Sequence, residues 1–358
     1  MRIPAPLSIF IVCVITALCL AAPVETTTPL IGPYALGAPV HVGSLTVWPV
    51  YTKKPLAIGE FLTLQEAEKA GLVKIEEIGG GAGEGQQRND PAQSGQQRLG
   101  SSDRAEVGRL VIVNGGKLPI LVCAGTVVVG GKQDRQIGKD FVIAAGKRVM
   151  VASFCVEQGR WSATRDGQAT AGKFKVAGYI APEGVRKGGQ YLSDQHDVWR
   201  NVAAVNGKRK TAAHGSSLAN ATEKADKAAR AADADMAKRV RAHFAERKAV
   251  GFAYAIQGKP VTVRTFAHER VFSSQFGLFV PAMCIEAQLA GQPKERVVAR
   301  AEDVAAMVAE LQKAAETEHK TSGSNTNGIA KNAKGYRANC YIVDGKKKVA
   351  VTRDWTRK

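Results

Sequence analysis

The sequence predicts an α+β fold: a mixed or predominantly antiparallel sheet with several packed helices, in a single major domain. Short apolar segments with strand-like alternation recur between Gly, Asn and Asp turn formers, which argues for many brief strands. Ala-rich stretches with apolar residues at helical spacing lie among them, so helices pack beside the sheet. Of the 358 residues 45% are hydrophobic, enough for a substantial core without disulfide staples.

Residues 1–22, MRIPAPLSIFIVCVITALCLAA, set Arg2 before an apolar run that ends in small residues, the pattern of a cleaved secretory signal. That run is short for a spanning helix and no second long one follows, so no transmembrane anchor is expected after signal removal. The expected location is therefore secreted or periplasmic. Residues 23–43, rich in Pro and Thr, read as a flexible lead, and the domain is expected over residues 44–356.

Ser44 to Val50, SLTVWPV, alternates as a short strand. Thr63 and Glu66 have the spacing of a capping box, which starts a helix that Gly71 can end. Leu72 to Ile78 is again extended, and residues 79–106, rich in Gly, Gln, Asp and Ser, read as a polar loop insertion. From Arg109, two apolar runs around Asn114-Gly115-Gly116 suggest a hairpin, and Phe141 to Ala144 and Arg148 to Cys155 add strands around Gly146. Leu218 to Phe244 reads as one long helix or two segments, and Gly251 to Ile256 and Pro260 to Phe266 as strands joined around Gly258. His268 to Ala290 reads as a helix interrupted at Pro281, and Ala301 to Glu316 as an amphipathic helix. Lys320 to Lys334 reads as a loop, and Asp344-Gly345 as the turn of a closing hairpin.

Cys123, Cys155, Cys284 and Cys340 lie beyond the signal. Disulfides and buried free thiols both fit them, while their wide separation matches no zinc spacing. Lys and Arg outnumber Asp and Glu by 50 to 32, a net +18 that loses only Arg2 with the signal. Residues 331–358 hold nine Lys or Arg against two Asp, or +7, with Tyr336, Tyr341 and Trp355 interleaved. That composition suggests a patch for a polyanion such as an acidic surface polymer. No nucleic-acid module accompanies it, so sequence-specific nucleic-acid binding is not expected.

Two stretches concentrate functional groups: Gly130-Gly131-Lys132-Gln133-Asp134-Arg135 and Cys155-Val156-Glu157-Gln158-Gly159-Arg160-Trp161. In their combination the chain resembles the ARPP-1 family, whose name describes a domain associated with ADP-ribosylglycohydrolases and rhodanese or phosphatase-superfamily proteins. The resemblance extends from the SLTVWPV strand to the C-terminal hairpin and touches the Gln and Val-Trp positions of Gly188 to Arg200. It implies a mixed α/β domain and supplies no catalytic roles.

Read chemically, the glycine pair allows a sharp backbone path, after which Lys132 and Arg135 can hold an anion while Asp134 orients Arg135 and Gln133 adds hydrogen bonds. Glu157 can pair with Arg135 or Arg160 as an ordinary salt bridge, and Trp161 can stack on a cation or a ring. Gln195 belongs to the same candidate ligand-binding set. Asp134, Glu157 and His196 are the candidates for acid/base chemistry, His196 having Asp194 and Asp197 beside it to orient its ring. Cys155 lacks a demonstrated His partner to activate it. The six His residues are scattered, so no metal site is named, and no phosphate-loop signature points to a cofactor. Three functions follow as expectations: an exported domain binding a polar or anionic ligand through the GGKQDR loop, a hydrolase acting on an anionic or glycosidic substrate, and a nonspecific polyanion-binding or structural interaction domain.

Overall fold

A computed structural model describes residues 27–78, 108–170, 172–291, 297–320 and 325–358. The signal assigned to residues 1–22 and the polar insertion at 79–106 lie outside them. The fold is α+β, with mostly antiparallel sheets packed against helices.

The larger sheet runs in the order Thr28–Ile31, Tyr34–Leu36, Leu45–Thr52, Gly251–Ile256, Lys259–Phe266, Lys347–Arg357, Gly335–Asp344, Thr326–Lys331 and Glu316–Lys320, with Val40–Val42 also paired to Leu45–Thr52. The segment expected as a flexible lead thus supplies edge strands, and the segment expected as a loop near 320–334 supplies a hairpin. Its central strands bury both faces, so their apolar residues do not alternate with polar ones. Phe252 and Tyr254 point into a core with Phe266, Phe272, Phe276 and Phe279, while Ala253 and Ala255 meet Trp48, Val304, Val308 and Trp355 on the other side. Each fully buried Phe stabilises by about 1.5–3 kcal/mol relative to exposure.

A second sheet orders Phe174–Ile180, Thr126–Gly130, Arg135–Ile137, Arg148–Cys155, Arg109–Asn114 and Val73–Glu77. A bridge between Glu76 and Lys173 joins its two outer strands, curling it toward a barrel around Ile75, Leu110, Ile112, Val128, Ile137 and Val151. The hairpin expected at Asn114-Gly115-Gly116 is not formed. Arg109–Asn114 pairs with Val73–Glu77 and Arg148–Cys155, whereas Ile120–Val122 joins Phe141–Ile143 and Leu62–Thr63 in a separate small sheet. The Asn114 side chain accounts for the divergence: it donates to Leu118 O and Ile143 O and accepts from Gly116 N, holding the connection as a loop.

Thr63 and Glu66 form the reciprocal capping box of helix Leu64–Lys69, and Gly71 follows it with φ +68°. Leu218 to Phe244 resolves into two segments, Asn220–Glu223 and Lys227–Phe244, the second capped by Asp226. Helix Glu269–Ala290 lies between the large sheet and the second sheet and runs through Pro281 without the expected interruption. Pro281 has no N–H for the Gly277 carbonyl four residues earlier, and Arg241 donates to that carbonyl at 3.3 Å instead. The four cysteines Cys123, Cys155, Cys284 and Cys340 are buried and unpaired, so the free-thiol alternative holds here. Among the described residues no helix is long and apolar enough to cross a membrane.

Candidate functional site

The GGKQDR segment is the hairpin between strands Thr126–Gly130 and Arg135–Ile137. It needs its glycines: Gly130 and Gly131 have φ +128° and +49°, and a Cβ on Gly130 would lie 2.4 Å from the Lys173 carbonyl oxygen. The tight path turns Asp134 inward, where it is fully buried. Its carboxylate accepts from Gly130 N at 2.9 Å, Ser217 Oγ at 2.6 Å, Arg160 Nη2 at 3.2 Å and Arg165 Nε at 3.3 Å.

Glu157 closes the same cage. Its Oε2 accepts from Asp134 N at 3.0 Å, its Oε1 from Arg160 Nε at 2.8 Å, and its backbone carbonyl from Gln133 Nε2 at 2.9 Å. Arg160 also donates to the carbonyls of Gly130 and Gly131, so one guanidinium ties the glycine turn to both carboxylates. Of the two partners expected for Glu157, the geometry selects Arg160. Arg135 is buried and lies 3.7 Å from Glu77, with Gln133 and Cys155 Sγ as its other neighbours. Gln195 uses its amide as a strand would, accepting from Cys155 N and donating to Cys155 O, each at 2.8 Å.

Of the candidate side chains of this region, Trp161 and His196 are exposed and Lys132 is half-buried. Trp161 is 48% exposed, and the Lys132 ammonium lies 5.5 Å from its ring centroid. His196 is exposed at the start of helix Gln195–Lys208, its ring edge-on to Trp199 at 5.6 Å, and among the described residues no hydrogen bond joins that ring to Asp134 or Glu157. Asp194 accepts from the backbone N–H groups of His196 and Asp197 as the helix cap. Acid/base work at Asp134 would require breaking the cage, since donors already occupy both oxygens. Burial raises the Cys155 thiol above its ordinary pKa, and Cys123 and Cys284 are pushed up to about 12 chiefly by the same cause, so none is held as a thiolate. No cluster of three or more His, Cys, Asp or Glu able to hold a metal occurs among the described residues.

The basic C-terminal stretch does not form one patch. Gly335 pairs with Arg357 at one end of the hairpin and Asp344 with Lys347 at the other, so Lys346 to Lys348 are separated from Lys331, Lys334 and Lys358 by roughly 30 Å at the rise of an extended strand. Arg337 is buried, 3.5 Å from Glu316.

A second polar cluster was not anticipated from the sequence. Arg264, buried under the large sheet, donates to Asp140 at 2.5 Å and to Asp354 at 2.6 Å. Arg186 donates to the same Asp354 oxygen at 2.7 Å, to Gln190 at 2.8 Å, and pairs with Glu183. A short π-helical segment, Gly188–Leu192, brings Gln190 and Tyr191 to this cluster, Tyr191 donating to Asp354 at 2.9 Å. Glu286 accepts from Glu183 N and from Tyr254 OH at 2.9 Å beside a cavity of about 10 Å³, space for about one water. Burial works to raise the Asp354 carboxyl, but the Arg186 and Arg264 guanidiniums outweigh it and hold it well below the usual carboxylate range. Burial, reinforced by the Glu183 charge, pushes Glu286 up to about 7. One signal was available: Thr352, Asp354 and Thr356 alternate along a strand and so put three polar groups on one face, opposite Thr262 and Arg264.

The family model for ARPP-1, the ARG and Rhodanese-Phosphatase-superfamily-associated Protein domain, matches residues 33–352. No curated protein and no solved structure matches the chain.

Proposed function

The chain belongs to the ARPP-1 family, and we propose that it is an exported, noncatalytic binding domain whose GGKQDR face takes an anionic ligand bearing a ring or apolar face. The observation that carries this reading is the outward Lys132–Trp161 pair above a cage whose other charges are mutually satisfied. Asp134, Glu157, Arg160 and Arg165 hold the platform; Lys132 offers the charge and Trp161 the surface. Arg160 and Gln133 thereby act as supports for the contact residues. Export rests on the signal pattern of residues 1–22 and places the ligand in the periplasm or outside the cell.

The test is a panel of acidic oligosaccharides and aromatic carboxylates titrated by calorimetry against the purified protein. One class should bind selectively, and Lys132→Ala or Trp161→Ala should weaken it about tenfold, the scale of a desolvated cation–π or stacking contact. Trp161 is exposed and Lys132 half-buried at the turn, so the unfolding midpoint should shift little. Binding that both substitutions leave unchanged would move the site elsewhere.

A further inference from the structure

A cavity of about 480 Å³ opens between the end of helix Lys227–Phe244, the turn after it and the first half of helix Glu269–Ala290. Its floor is aromatic: the rings of Phe244 and Phe276 lie 4.3 Å apart and those of Phe272 and Phe276 5.0 Å apart. Its rim is charged. Arg270 is engaged by Glu60 at 2.5 Å, and Glu246 and Glu269 also border the opening. Lys248 is exposed and makes no ion pair among the described residues. Arg241 is held at the rim by the Gly277 carbonyl that Pro281 leaves without its helical donor. Gly277 itself lines the opening, and a methyl placed on it would meet no heavy atom within 4 Å.

We propose that this cavity binds an amphipathic monoanion, an alkyl or aryl carboxylate whose apolar body lies on Phe244, Phe272 and Phe276 and whose acid group meets Lys248 and Arg241. Apolar contact on the floor and cations at the mouth are what such a ligand requires, and the volume lies in the range of small-molecule sites. A bare inorganic anion would leave the aromatic floor unused. A neutral alcohol of the same length would leave the rim cations unpaired. The site is built from elements other than the GGKQDR turn and is independent of the binding reading above.

Dodecanoate and dodecanol, titrated by calorimetry against the purified protein, test it. One equivalent of dodecanoate should bind. Lys248→Glu should weaken dodecanoate at least tenfold and leave dodecanol within twofold. Gly277→Leu, which projects a side chain into the opening, should weaken both at least tenfold while thermal unfolding stays cooperative. Lys132→Ala should change neither, separating this cavity from the Lys132–Trp161 platform. Absence of saturable dodecanoate binding, or equal binding to wild type and Lys248→Glu, would overturn the proposal.

Discussion

Asp134 and Arg160 illustrate how residues suited to ligand binding can instead be consumed by their own loop. A buried carboxylate is costly unless donors surround it, and here a backbone amide, a hydroxyl and two guanidiniums supply them. Replacing Asp134 by Ala should destabilise the fold by about 3 kcal/mol, because it strips a buried acceptor from both Arg160 and Arg165. Urea unfolding would measure it, with Asp134→Asn losing less because it keeps the shape and one acceptor. A loss below about 1 kcal/mol for the Ala variant would mean that solvent readily takes over the guanidiniums. The types of these residues were legible in the sequence, but which way each would face was not. Lys132 and Asp134 stand two apart in one turn, yet one reaches Trp161 at the surface and the other is fully buried.

Turns and caps were the most readable elements, since their determinants sit within a few residues. The capping box at Thr63, the Gln257-Gly258 turn with φ +48° and +76°, and the closing hairpin at Gly345 all follow from local chemistry. Glycines separate the local part of such a constraint from the tertiary part. Gly146 and Gly130 both have positive φ, but a Cβ on Gly146 would meet nothing within 4 Å. Gly146→Ala should therefore cost about 1 kcal/mol, the strain of the backbone alone. Gly130→Ala should cost at least about 2 kcal/mol more, because the strand cannot retreat from the Lys173 carbonyl without breaking its pairing. Equal losses in chemical denaturation would show that the Phe174–Ile180 strand yields to the new methyl. The Pro281 helix teaches the converse lesson: a local signal for interruption is overridden when a distant arginine satisfies the freed carbonyl.

At the scale of the molecule, the Arg186–Asp354–Arg264–Asp140 cluster joins the large sheet to the small-sheet region and to the helices beneath it. Its members are far apart in sequence, 168 residues for Arg186 and Asp354 and 124 for Arg264 and Asp140. Glu286 at its margin gives the protein a pH dependence. Its folded-state pKa of about 7 lies above the ordinary value of 4.5, so the folded protein holds that proton more tightly than the unfolded chain. Its contribution to stability is whole below about pH 4.5 and is lost as the pH rises through about 7. Glu286→Gln removes the titration. The stability of wild type relative to this variant should fall across that window and level off above it, measured as urea unfolding at successive pH values. Parallel profiles for the two proteins would mean that Glu286 ionises in the folded state as easily as in the unfolded one. Asp354 acts in the opposite sense at acid pH: its depressed pKa contributes stability that is lost once the pH falls below the ordinary carboxylate range.

By itself the sequence determined the α+β class, most strands and helices, the caps and the tight turns, because these depend on side-chain period and on backbone preferences acting over a few residues. Only the tertiary structure decided that Arg109–Asn114 and Ile120–Val122 belong to different sheets and that Arg186 and Arg264 share Asp354. Each of those outcomes depends on which distant surfaces exclude water together. A buried charge takes the partner that the packed sheets deliver to it, and chain order does not specify that partner.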